Sequence, residues 1–133
     1  MKSDEAFESF SAVLESLFVS DNSDLAEIIL SLISERNRQT LVEGYTTSHD
    51  DEHTEGQLAL LAAAYALSSR EPGRIGTLPR TRKPMPSIEF ANTVESIECY
   101  GWEFTQKDPI RDLTRAGALI LAELERLWRK NDD

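Results

Sequence analysis

The run LALLAAAYAL, residues 58–67, decides how this chain folds. It carries no charge, and its alanines and leucines are the strongest helix formers. Leu58, Leu61, Ala62, Tyr65 and Ala66 fall on one helical stripe, while Leu60, Ala63, Ala64 and Leu67 make the other side apolar too. A helix apolar nearly all round is central in its domain, and many alanines let neighbouring helices come close. The stretch before it, YTTSHDDEHTEGQ at residues 45–57, holds both histidines and four acids. Ser48 with Asp51, or Thr54 with Gln57, fits a capping box for a helix running to about Ser69.

Working outward, residues 4–18 place Phe7, Phe10, Val13 or Leu14, Leu17 and Phe18 at helical spacing. A second helix is expected over roughly 24–42, with Leu25, Ile28, Ile29, Leu32 and Ile33 as its buried stripe and Gly44 as its stop. Residues 92–100 read as a short helix capped by Asn92 and stopped by Gly101. The last helix has the clearest start, with Asp108 as N-cap and Pro109 as first helical residue. Ile110, Leu113, Gly117, Ile120, Leu121, Leu124, Leu127 and Trp128 line one face of it. The expectation is an all-α compact bundle of four main helices plus a short one, in a single domain over 1–133. Residues 68–92 are irregular: 68–86 alone hold four prolines, two glycines and five basic residues.

Charge is uneven. Of a net −10, residues 1–57 carry thirteen acids against three bases, and the remainder carries eleven of each. Duplex nucleic acid needs a basic surface, so it is not an expected partner. No apolar run reaches the roughly 20 residues of a membrane span. The single cysteine, Cys99, fits a reducing compartment, and a cytoplasmic location is the expectation.

Residues 35–66 and 107–127 resemble a family of short bacteriophage and prophage proteins. The likeness rests on Glu-Arg-x-Arg-Gln at 35–39, aromatic-Thr-x-x-His-Asp-Asp at 45–51 and Arg-Asp-Leu-x-x-Ala-Gly-Ala-Leu at 111–119. Residues 1–23 lie outside it. Tyr45 stands where that family favours Trp, and Gln57 where it favours Glu. More distantly, the arrangement is similar to all-α MazG-like nucleotide pyrophosphohydrolases. That likeness implies Asp51, Glu52 and Glu55 as half of a Mg²⁺ cradle, but the second Glu-x-x-Asp element is missing after residue 55.

His49 and His53, four apart, share a face on a helix. Two histidines and nearby acids fall short of a closed zinc site, so no tightly bound transition metal is expected. The plainer reading is a solvated, capped helix start. Arg111 and Arg115, also four apart and preceded by Lys107, make a candidate phosphate clamp. The structural alternative is that they neutralise the acids of residues 50–55. Of Arg36 and Arg38, at most one can join that site. Tyr45 and Trp102 are rings able to stack on a base.

These features lead to one expectation and two alternatives. The first is a phage-type accessory or anti-defence protein that sequesters a nucleotide-like phosphate ligand, without catalysis or cofactor. Its ligand-binding residues would be Tyr45, His49, His53, Lys107, Arg111 and Arg115. The alternatives are a Mg²⁺-dependent pyrophosphohydrolase using Asp51, Glu52 and Glu55, and an acidic protein inhibitor of a host defence factor. A homo-oligomer is the favoured assembly.

Overall fold

The computed structural model describes residues 2–19, 23–71 and 86–132. The fold is all-α, with six helices among the described residues: α1 (Lys2–Val19), α2 (Ser23–Leu41), α3 (Thr47–Glu52), α4 (Gln57–Ser68), α5 (Ile88–Cys99) and α6 (Pro109–Asp132). No helix is long and apolar enough to cross a membrane among those residues.

α6 is the helix that packs against α2, α3 and α4, so it is the hub; the apolar run becomes α4, which holds much of the core. Its most extensive pairing is with α6, and α5 packs on it from another side. Leu58, Leu61, Ala62, Ala64 and Tyr65 of α4 bury against Ile97 of α5 and Ala116, Leu119 and Ala122 of α6. Small alanines on both helices leave room for α4 and α6 to pack closely.

Two local features depart from the capping-box reading. The segment before α4 is a separate short helix, α3, capped by Thr46, whose hydroxyl accepts from His49 N at 3.3 Å. Gly56 then starts α4 in the left-handed region, at φ 79°. Glycine enters that region without the Cβ penalty of other residues. The short helix expected over 92–100 begins earlier, at Ile88, because Ser87 caps it through Phe90 N at 3.2 Å. Within the segment read as irregular, residues 72–85 lie outside the described residues. Glu71 and Ser87 on either side of them meet, with Ser87 N donating to the buried Glu71 carboxylate at 3.0 Å.

The clearest correction concerns α6. It starts as expected, with Arg111 N donating to Asp108 Oδ1 at 3.0 Å. The face that meets α4, however, is the one carrying Asp112, Ala116, Leu119, Ala122 and Arg126, all buried. The apolar face read from the sequence, from Ile110 to Trp128, points largely outward. Asp112 tolerates burial because Ser68 Oγ (2.7 Å) and Lys107 N (2.9 Å) donate to it, joining the end of α4 to the start of α6. The α2 stripe is corrected in part: Leu25 and Ile28 are exposed, Ile29, Leu32 and Ile33 are half-buried as the stripe implied, and Ala26, Arg36 and Gln39 are buried. On α1, Phe7, Phe10 and Val13 are exposed as well.

Candidate functional site

The end of α2 sets the site's first wall. Arg36, nearly buried, donates to Asp50 Oδ2 at 2.6 Å, to Glu125 Oε1 at 3.2 Å and to the Tyr45 carbonyl at 3.1 Å. One guanidinium thus fixes α3, α6 and the turn that carries Tyr45. Gly44, at φ 76°, permits that turn, and Tyr45 N donates back to Gln39 O at 2.9 Å. Arg129 of α6 donates to Asp51 at 2.8 Å, giving α3 a second tie. Of the pair weighed from the sequence, Arg36 joins this network, and Arg38 turns away to Glu35 and Glu43.

On this anchored base stands a row of rings. Tyr45 stacks on His49, with centroids 4.8 Å apart and planes 7° from parallel. His49 meets His53 edge-on at 4.5 Å, and His53 meets Trp102 edge-on at 4.8 Å. The facing Nε2 atoms of the two histidines are 3.2 Å apart, while His49 Nδ1 lies 3.2 Å from Asp50 Oδ1. Burial and the neighbouring His49 hold the His53 imidazole below its ordinary pKa. Burial, with help from Glu43, pushes the Tyr45 phenol up to about 12.

Beside the row opens a cavity of about 460 Å³. Tyr45, Tyr65 and Trp102 supply its aromatic lining, and Lys107 and Arg115 its cations. Glu43, Glu103 and Thr105 also line it, with Glu43 paired to Arg38. Arg115 Nη1 donates to the Tyr65 hydroxyl at a long 3.4 Å, and its guanidinium carbon sits 5.5 Å from the Tyr65 ring centroid. Among the described residues Arg115 has no carboxylate partner, and its Nε is buried without a hydrogen-bond acceptor.

The structure therefore gathers Tyr45, Lys107 and Arg115 at one cavity, with His49 and His53 joined to it through Tyr45 and Trp102. Arg111 stands apart. It lines a separate groove with Ser31, Ser34 and Glu35 of α2. Four residues advance a helix about 40° beyond a full turn. On α6 that rotation moves the side chain from the α4 side, at Arg115, to the α2 side, at Arg111. The acids of residues 50–55 do not restrain either arginine as expected, because Asp50 is taken by Arg36 and Asp51 by Arg129. Asp51, Glu52 and Glu55 do not form a metal cradle either: no group of three or more His, Cys, Asp or Glu side chains suited to an ion occurs among the described residues.

Tyr65 is the lining residue that the sequence hid. Its place on the apolar stripe of residues 58–67 marks it as core, and only the position of its hydroxyl beside Arg115 reveals a second role. Glu43, Glu103 and Thr105 had no distinguishing spacing. No family model, curated protein or solved structure matches this chain.

Proposed function

We propose that this cavity binds a nucleotide-like ligand, with its phosphate at Lys107 and Arg115 and its base against Tyr45, Trp102 or Tyr65. The observation that carries the reading is the state of Arg115. Its guanidinium has no carboxylate partner among the described residues, and it lines the cavity with a second cation and three aromatic rings, Glu43 and Glu103 being fellow lining residues. A guanidinium free of carboxylates can turn its terminal N–H donors to an anionic oxygen in the cavity. Charge-assisted bonds to phosphate and ring stacking are together the usual chemistry of nucleotide capture.

The resemblance to short phage proteins supports an accessory role, in which capture removes a signalling nucleotide from a host defence. Capture without turnover is favoured over pyrophosphohydrolysis because Asp51 is engaged by Arg129 and the three acids do not converge. Incubation with a panel of linear and cyclic nucleotides, followed by mass spectrometry of bound and free fractions, tests this. Recovery of unchanged nucleotide from the protein supports capture. Release of pyrophosphate points to the enzyme, and no retention of any nucleotide removes the reading.

A further inference from the structure

α6 is the most strongly amphipathic of the five longer helices, yet its apolar face looks away from the core. The charged side chains of α6 from Arg111 to Lys130 avoid this face, and several are bound inward: Asp112 to Ser68, Glu125 to Arg36 and Arg129 to Asp51. Ile110, Leu113, Gly117, Ile120, Leu124 and Leu127 follow one another at steps of three, four, three, four and three residues. That 3.5-residue period is the seam of paired helices, in which each apolar knob enters a hole on a facing helix. A seam of this kind specifies another helix as its occupant, rather than a lipid or a small molecule.

Among the described residues the large side chains of this face stay open, and α2 covers it only at its edge, where Leu32 lies against Gly117. Exposure of its large side chains runs from 41% at Leu127 to 79% at Ile110, with Trp128 at 73% beside them. Together they present on the order of 700 Å² of apolar surface per chain, above the roughly 300–600 Å² of the largest patch on a typical monomer and close to the ~800 Å² per partner of a standard interface. Phe7, Phe10 and Val13 on α1, which among the described residues packs mainly on α2, add further exposed apolar surface.

We propose that the outward face of α6 is the interface between two copies of this chain. A helix with a regular apolar seam is complementary to itself, and a two-fold axis through the seam satisfies both copies with one patch. The occupant is therefore a second α6. Gly117 lies where α2 approaches closely, since a Cβ there would meet Leu32 Cδ2 at 2.5 Å. The small residue leaves α2 beside the seam without lifting it off α6.

Sedimentation of the full chain tests this with two variants. Wild type is expected at twice the 15.0 kDa chain mass. Ile120→Asp with Leu124→Glu, both already half-exposed in the single chain, is expected to halve that mass and keep the helical circular dichroism. Leu41→Glu, at a more exposed apolar residue on the last turn of α2, is expected to leave the mass unchanged. A wild type that sediments as one chain overturns the proposal and leaves the face to a different protein. So does an assembly whose mass the paired α6 substitutions do not change.

Discussion

Arg36 and Asp50 form a buried ion pair at 2.6 Å, and that contact places the whole ring row of the candidate site. The pair lies fourteen residues apart and joins the last turns of α2 to α3. The same guanidinium holds the Tyr45 carbonyl, so the position of the Tyr45 ring depends on it.

Asp50→Ala leaves the Arg36 charge buried with one partner fewer. Loss of one member of a buried pair costs about 3–5 kcal/mol. Urea unfolding of the variant should show a midpoint lowered accordingly. A midpoint equal to wild type would mean that α3 is not held by this bond.

Trp102 closes the ring row against His53 and borders the cavity. Stacking on a base contributes roughly 1–3 kcal/mol. Trp102→Ala should weaken a nucleotide that wild type binds by about fivefold or more, while inorganic phosphate binding changes little. Equal loss for both ligands would place Trp102 in support of the cations instead of against the base.

The His53 imidazole is held below its ordinary value of 6.5 by burial and by His49. The unfolded chain therefore takes up the proton first as pH falls. Above about pH 6.5 both states are neutral and stability is unaffected by this group. Below it, stability falls until the folded imidazole is protonated too. His53→Gln should flatten that acid-side slope, measured by unfolding between pH 7 and pH 5. A slope as steep as wild type would assign the dependence to another group.

Much of the fold was legible because it rests on local signals. The alanine-rich run over 58–67, the Asp108-Pro109 start and the glycine stops at Gly44 and Gly101 all act within one or two turns. What the sequence concealed was which side of α6 faces inward. Periodicity finds an apolar face but not its neighbour. Here alanines and a bonded Asp112 meet α4, while the larger leucines and isoleucines remain outside. The site was legible as a set of residue types. Its partners were not, because Asp50 to Arg36, Asp51 to Arg129 and Tyr65 to Arg115 are tertiary contacts without a spacing rule. The division of Arg111 from Arg115 likewise depends on where α2 crosses α6.

In the proposed complex Arg115 receives the phosphate. Calorimetric titration of the nucleotide panel into wild type and Arg115→Ala tests it most directly, with unfolding curves to confirm that both proteins are folded. A charge-assisted bond contributes roughly 1.5–3 kcal/mol, so Arg115→Ala is expected to bind at least about tenfold more weakly at similar stability. Equal affinity in the two folded proteins, or no affinity in either, would contradict it.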